Sequence, residues 1–504
     1  MSELEIKLHV EAGRRDHLLD ALGRRRIRKA TLSAIYFDTP DLLLARRRFA
    51  LRLRKEDGHW VQTLKGPGRG RGAERLEDEV AVAADGTPER GDAAVPALDL
   101  DRHAHSTVGR RLRALLRRAK RPALAEVCRT EVTRSRRLLN AHGAAVEWAL
   151  DEGELTAAGR TRPISELELE FKRGDPAGLY ASAHDWAALH GLWIDPVSKS
   201  ERGGLLFEDE AFNAPVKAVS APWDGKEATT LDGDAMLRRM VSACLAQILP
   251  NAGELARGSE DAEHVHQLRV GLRRLRSVAW GMKPFAAGLP DGWEDAVMPV
   301  FAALGQARDR HVRATSIAPA LRRAGAPVDG FAPASEAEAK ALRQLVRGAG
   351  FQGMLMRLMA FAHEVGPDAD RAGDGSGLAH LARQLRKLAR QVNGDARRFD
   401  ELPFAGQHRV RKRLKRLRYL AEFAAPAFDR RAVKAWFDRV SPAQDDLGSY
   451  VDAALAAKRF EALAASDPGA WFAVGWLRAR GKTAARAGRK SLERLRRATA
   501  FWAG

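Results

Sequence analysis

Glu3-Leu4-Glu5-Ile6-Lys7-Leu8-His9-Val10 sets a charged or polar side chain on every second residue and an aliphatic one between. On a strand that alternation makes one face ionic and the other apolar. Glu166, Glu168, Glu170 and Lys172 alternate in the same way with Leu167, Leu169 and Phe171, and Arg52 and Arg54 alternate with Leu51 and Leu53. Any one such segment reads equally well as a surface strand. Their recurrence argues for strands that close into a barrel, apolar faces outward under helices and charges inside. Enclosed charges are costly unless matched by each other or by bound ions. Carboxylates suit hard divalent cations, whereas arginine and lysine suit phosphate oxygens. The pattern therefore predicts a site for a metal-bound polyphosphate.

Tyr36-Phe37-Asp38-Thr39-Pro40, Leu51-Arg52-Leu53-Arg54, Thr63-Leu64-Lys65, Arg75-Leu76-Glu77, Ala149-Leu150-Asp151-Glu152-Gly153, Glu166-Leu167-Glu168-Leu169-Glu170 and Ser198-Lys199 follow the opening strand in that order. Together they resemble the CYTH, or triphosphate tunnel metalloenzyme, family over roughly the first 205 residues. The resemblance implies an α+β domain built on a closed antiparallel β-barrel tunnel with flanking helices. It also implies hydrolysis or cyclisation of a triphosphate with Mg²⁺ or Mn²⁺. Carried onto matching positions, it implies Glu3, Glu5, Glu168 and Glu170 as metal ligands, and Lys7, Arg52, Arg54, Lys65, Arg75, Arg134, Arg136 and Lys199 as substrate-binding cations. Glu77, Asp151 and Glu166 are further lining groups. Glu5, Lys7 and Glu168 are the residues expected to act in catalysis.

At 504 residues the chain is long enough for two or three domains, and a net charge of +20 favours a polyanionic partner. Charge alone does not choose between nucleic acid, a phosphate polymer and an anionic membrane surface. The two cysteines, Cys128 and Cys244, offer neither a disulfide framework nor zinc spacing. No signal peptide or membrane span is read. A cytoplasmic protein associated with polyphosphate granules is expected.

Gly66 to Gly72 reads as a flexible basic hairpin loop rather than a P-loop, since no helix start follows at the required spacing. After Arg202-Gly203-Gly204 the strand pattern breaks up. Pro215 and Pro222 mark a linker, giving domains at 1–208 and 231–504 that are expected to separate near 211–225. From Leu231 onward the chain reads as helical, and it repeats. His266-Gln267-Leu268-Arg269 through Arg276 is echoed by His408-Arg409-Val410-Arg411 through Arg418, and Leu304-Gly305 with Asp309 by Leu447-Gly448 with Asp452. The period is about 142 residues, with copies at about 231–366 and 374–504. Punctuation by Pro and Gly predicts helices near 232–249, 260–283, 293–324, 335–364, 377–399, 405–427, 432–465 and 468–500. These are expected to form two pseudo-symmetric four-helix bundles.

At about 100° per residue, His266, Arg269, Arg273 and Arg276 share one stripe opposite Leu268, Leu272 and Leu275. His408, Arg411, Lys415 and Arg418 repeat it. A row of cations repels itself unless an anion lies along it, and a solvated basic face is the alternative. The duplicated histidine register resembles the CHAD family. That resemblance implies inorganic polyphosphate as the ligand of both stripes, and CYTH followed by CHAD is a known fusion. The two main stripes interleave only Tyr419 as an aromatic, which speaks against a nucleic-acid platform. The favoured reading is a metal-dependent triphosphatase, acting on inorganic triphosphate or a related compound, with a polyphosphate-binding helical half. A nonenzymatic polyphosphate- or nucleic-acid-binding protein is the alternative.

Overall fold

The computed structural model describes residues 2–68, 75–82, 95–218, 221–327, 335–363 and 376–502, with the side chains of Ser2, Glu3 and Arg75 outside that description. Most of the glycine-rich loop after Pro67 also lies outside it.

One antiparallel sheet is built from β1 (Ser2–Glu3), β2 (Glu5–His9), β3 (Arg28–Asp38), β4 (Ala50–Glu56), β5 (His59–Pro67), β6 (Arg75–Val82), β7 (Ala125–Ala141), β8 (Ala144–Ala157), β9 (Arg160–Gly174) and β10 (Trp193–Ile194). Its order is β1-β6-β5-β4-β3-β7-β8-β9-β2-β10. The predicted barrel is therefore not closed by a hydrogen-bond ladder among the described residues. Instead the opening segment changes partner: Ser2 and Glu3 pair with β6, whereas Glu5 to His9 pair with β9. Only Leu4 separates the two pairings, so the flanks of the sheet are joined covalently at one residue.

The helices of eight residues or more in this half are α1 (Arg15–Leu22), α2 (Thr107–Arg118), α3 (Ala177–His190) and α4 (Lys199–Phe207). As the alternation predicts, one face is apolar and covered. Ile6, Leu8, Leu51, Leu53, Leu167 and Leu169 are buried, and Leu51 and Leu64 pack with Val108, Leu112 and Leu116 of α2. Helix α4 does something the sequence reading missed. Its Leu206 packs with Leu32, Ala34, Tyr36, Cys128 and Val132, of which Leu32, Ala34, Tyr36 and Val132 also line the charged cavity. Helix α4 is thus seated on the concave face of the sheet. A Cβ at Gly203 would come within 2.0 Å of Cys128 Sγ, so this glycine serves close approach inside a helix rather than a turn. Ser198 caps the helix, exchanging hydrogen bonds with Glu201 in a capping box.

Asp38, in the Tyr36-to-Pro40 motif, is structural. Its Oδ1 accepts from the Thr39 and Leu44 amides, each at 2.7 Å, and its Oδ2 from the Ala45 amide at 2.8 Å. Asp38→Ala is expected to cost about 3 kcal/mol, the range for lost hydrogen bonds to a charged group. A lower urea midpoint at unchanged m-value would show it; an unchanged midpoint would deny the cap its role.

The second half contains α5 (Gly233–Arg257), α6 (Ala262–Gly281), α7 (Trp293–Val312), α8 (Glu336–Arg347), α9 (Ala349–His363), α10 (Ser376–Arg397), α11 (Phe404–Ala424), α12 (Arg430–Leu463) and α13 (Ala470–Arg496). These follow the predicted spans, except that the fourth is split into α8 and α9 at Gly348. No helix among the described residues is long and apolar enough to cross a membrane.

The chain forms two compact units, and the first is discontinuous: Met1–Val216, Leu249–Ser259 and Gln344–Glu364. In it α9 packs on α3, and Gln352 Oε1 accepts from the Ile194 amide at 2.9 Å. Asn251, from the last turns of α5, exchanges hydrogen bonds with the backbone of Val216, and Glu254 Oε1 accepts from Asn213 Nδ2 at 2.7 Å. In the second unit α10 packs on α11, α11 on α12, α12 on α13 and α13 on α10, a closed cycle. The first copy does not repeat that cycle, because the buried face of α9 (Phe351, Met354, Leu355, Leu358) belongs to the other unit. The duplicated helices α6 and α11 pack on each other.

Candidate functional site

The first unit holds a cavity of about 270 Å³ on the ionic face of the sheet. Strand register builds it. Lys7 stands opposite Glu168, and Glu168 opposite Ala149, which in turn faces Arg136; the small Ala149 leaves room between the ions. One step along, Glu5, Glu170 and Glu147 stand side by side across β2, β9 and β8. On the other wall Arg52 pairs across β3 and β5 with Tyr36 and Thr63, and Lys65 stands opposite Glu77.

Every substrate-binding and metal-ligating residue read from the sequence lines this cavity, apart from Glu3 and Arg75, whose side chains lie outside the described residues. Asp151 and Glu77 line it too. Glu166 does not. It is fully buried behind the cavity wall, between Lys199 and Arg202, although its place in the alternation equals that of Glu168. Lys172, from the alternating segment of β9, lines it as well, as do Glu56, Glu79 and Glu147, which the sequence reading did not name. Glu56 and Glu79 lie two residues from Arg54 and Glu77, and Glu147 four from Asp151, so period-two spacing would have found them.

The charges divide the cavity into two regions. In the first, Lys7 Nζ is 2.5 Å from Glu168, Arg134 reaches Asp151 at 2.6 Å and Glu168 at 2.5 Å, and Lys199 reaches Asp151 at 2.7 Å and Glu168 at 3.1 Å. Arg202 holds Glu166 at 2.6 Å and Asp195 at 3.2 Å. Burial opposes ionisation here, but the pairing outweighs it. Glu168 is held well below the usual carboxylate range, and Lys7 and Arg134 well above their ordinary values. In the second region partners are longer: Arg52 to Glu79 at 3.8 Å, and Arg54 to Glu56 and Glu79 at 3.4 and 3.5 Å. The Nε atoms of Arg52 and Arg54 are buried without a hydrogen-bond partner. Burial and then Arg52 push the Arg54 guanidinium down. Its guanidinium groups are thus paired more loosely than the cations of the first region.

A divalent cation has two places to consider. Asp151, Glu166 and Glu168 offer oxygens within 4.8 Å of one another, but Lys7, Arg134, Lys199 and Arg202 already occupy them. The row Glu5-Glu170-Glu147 is less satisfied, since Lys172 serves Glu170 at 2.6 Å and Glu147 at 3.7 Å, and Glu5 shares Lys7 at 3.2 Å. Like charges directly opposite on neighbouring strands are unfavourable. An oxygen-rich row of this kind fits Mg²⁺ or Mn²⁺, with Glu168 bordering it.

In the second unit, Leu268, Leu272, Leu275, Val410, Leu414 and Leu417 are buried, and the cationic stripes face the other way. The stripes are not uniform. Arg276 is paired with Glu294 at 2.5 Å and Arg418 with Glu422 at 3.0 Å. Arg269, Arg273, Arg411 and Lys415 instead form one electrostatic cluster drawn from both copies. A Cβ at Gly305 would meet Arg269 Nη2 at 3.2 Å, a tight approach, whereas one at Gly448 would meet Arg411 Nη2 at 3.8 Å, an ordinary contact. The Nε atoms of Arg269 and Arg411 are buried and unpartnered. Among the described residues Asp452, 3.6 Å from Arg411, is the acidic group that forms an ion pair in the cluster. Burial and then Arg273 lower Arg269 to about 10.

The two histidines of the stripes sit among these cations. His266 Nδ1 accepts a hydrogen bond from Arg308 Nε at 3.1 Å. Burial and then Arg308 lower its pKa, and burial and then Lys412 lower that of His408.

A family model for the CYTH domain matches residues 1–203, and one for the CHAD domain matches residues 239–461. An inorganic triphosphatase from Haemophilus influenzae is 26% identical over 211 residues, covering 41% of this chain; the chain spans 55% of that relative's length. A solved CHAD domain from the plant Ricinus communis is 26% identical with a TM-score of 0.45, covering 56% of this chain and 97% of that one. A Hippeastrum protein described as an adenylyl cyclase with dominant triphosphatase activity is 19% identical with a TM-score of 0.29, covering 42% and 97%. The ordered strand motifs, the duplicated helix and the two family matches agree: the chain joins an N-terminal CYTH domain to a C-terminal CHAD domain.

Proposed function

We propose that this protein is a metal-dependent triphosphatase, acting on inorganic triphosphate or a related triphosphate, whose helical unit binds inorganic polyphosphate. The observation that carries the first part is charge balance. Among the described residues, eight carboxylates and eight lysines or arginines line the cavity. A highly charged triphosphate entering such a site upsets the balance unless divalent cations accompany it. A cation held by Glu5, Glu168 and Glu170 would screen the phosphate oxygens and supply an activated water. Arg52 and Arg54, short of partners, would take one end of the phosphate chain, and Lys65 would extend that grip. Lys7, Arg134 and Lys199 would exchange part of their pairing with Glu168 and Asp151 for phosphate oxygens. Catalysis in this reading rests on fixed charges positioned around the transferring group. Helix α4, seated on the concave face, limits water on its side.

Phosphate release from a panel of triphosphates, with and without Mg²⁺ or Mn²⁺, tests the enzyme. The helical unit is tested separately by binding of polyphosphate with DNA as competitor at fixed salt. Arg269→Ala combined with Arg411→Ala is expected to weaken polyphosphate binding at every pH and to flatten its salt dependence, because two phosphate contacts and their released counterions are lost. Unchanged affinity in this double variant would place the binding surface elsewhere.

A further inference from the structure

Within the cationic cluster of the helical unit Lys415 stands apart. Copy one has an arginine, Arg273, at the matching position. Lys415 is faced by Arg269, Arg273 and His266 from α6, by Arg411 and His408 on its own helix and by Asp452 from α12. The acidic groups of the cluster are Asp452, the ion-pair partner of Arg411, and Asp309 of α7, which acts on Arg269 and Arg411. No carboxylate forms an ion pair with the Lys415 ammonium among the described residues. A guanidinium cannot shed its charge in such a place, but an amine can.

We propose that Lys415 enters this site uncharged and takes up a proton when a phosphate anion binds, so that polyphosphate binding to the helical unit is coupled to proton uptake. The inference rests on the polyphosphate reading given above. Its physical basis is the absence of a counter-ion. Three arginines and a half-buried position oppose a further positive charge, and a bound phosphate reverses that balance by standing where the missing carboxylate would be. Burial, then Arg273 and Arg411, lower the amine to about 6. The phosphate must raise it again. Linkage then fixes the sign: above about pH 6 the complex holds one proton more than its separated components, so affinity falls as pH rises until the raised value is passed. Burial and neighbouring cations lower both histidines as well, and the variants below separate their contribution from that of Lys415.

Calorimetric titration of the full chain with long-chain polyphosphate, in chelator at about pH 7.5 and in buffers of different ionisation enthalpy, counts the protons taken up. About one proton per occupied site is expected for the natural chain and for the double variant His266→Gln, His408→Gln. Lys415→Arg, permanently charged, is expected to take up close to none and to bind with little pH dependence, whereas the natural chain loses up to about tenfold in affinity per pH unit. Lys415→Met, should arginine fit poorly, is expected to bind weakly at all pH values with no uptake. Binding without proton uptake in the natural chain, or an undiminished proton in Lys415→Arg, would overturn the inference while leaving the polyphosphate reading intact. Failure of polyphosphate to bind at all would overturn both.

Discussion

Excess chelator is expected to abolish phosphate release from inorganic triphosphate, and Glu5→Gln to lower it by about 100-fold or more while the protein stays folded. The argument lies in how differently the carboxylates are committed. Glu168 is shared by Lys7, Arg134 and Lys199. Neutralising it would leave buried cations unpaired and confound folding with catalysis. Among the described residues Glu5 pairs with Lys7 alone, at 3.2 Å, and Lys7 keeps Glu168 when Glu5 loses its charge. Glu5→Gln therefore removes an acidic oxygen from the row beside Glu170 and Glu147 at little cost to stability. Kinetics with Mg²⁺ titrated over a wide range, alongside thermal unfolding, separates the two effects. Full turnover in chelator would end the metal reading. Undiminished turnover by a folded Glu5→Gln protein would remove Glu5 from the site.

The second large effect concerns the boundary between the halves. A chain cut after Phe212 is expected to be insoluble or inactive, contrary to what the linker composition suggests. Leu179 and Tyr180 of α3 are buried, α3 packs on α9, and the Tyr180 ring lies 5.9 Å from that of His363. Removing α9 exposes this face, at about 1.5–3 kcal/mol for each large apolar side chain. It also strips Gln352 from the Ile194 amide. Such losses match the whole stability of an ordinary domain. Supplying residues 213–504 as a second polypeptide should restore solubility and activity. A soluble, cooperatively unfolding and fully active 1–212 fragment would show that the discontinuous segments are dispensable.

The ionic face of the sheet was legible because alternation on a strand has a period of two residues. Glu5, Lys7, Arg52, Arg54, Glu168 and Glu170 reach the cavity by pleat alone. Glu166 shares their pattern and misses the cavity, because what separates it is a helix the sequence concealed. Arg202-Gly203-Gly204 reads as a break, yet Gly203 lets α4 approach Cys128. In the helical half, spacing near 3.6 residues marked nearly every span. It could not say that α9 packs with the first unit, since an apolar stripe looks the same whichever surface covers it. Nor could it divide the basic stripes into paired ends, Arg276 and Arg418, and a sparsely paired centre. Glu422, four residues after Arg418, was legible by spacing, but the pairing of Arg276 with Glu294 of α7 is set by packing.

The discontinuity of the first unit also bears on how the protein is made. Domains generally fold in order as the chain emerges during synthesis. Here every strand of the sheet is complete by Ile194, but the unit that contains it draws in Gln344–Glu364. The face of α3 must wait, uncovered, while more than a hundred further residues are added. Through that interval the nascent tunnel carries an exposed apolar surface. The part of the protein that comes first in sequence is thus finished only after much of the helical half has been translated, and the rate of synthesis between residues 216 and 344 becomes a determinant of its yield.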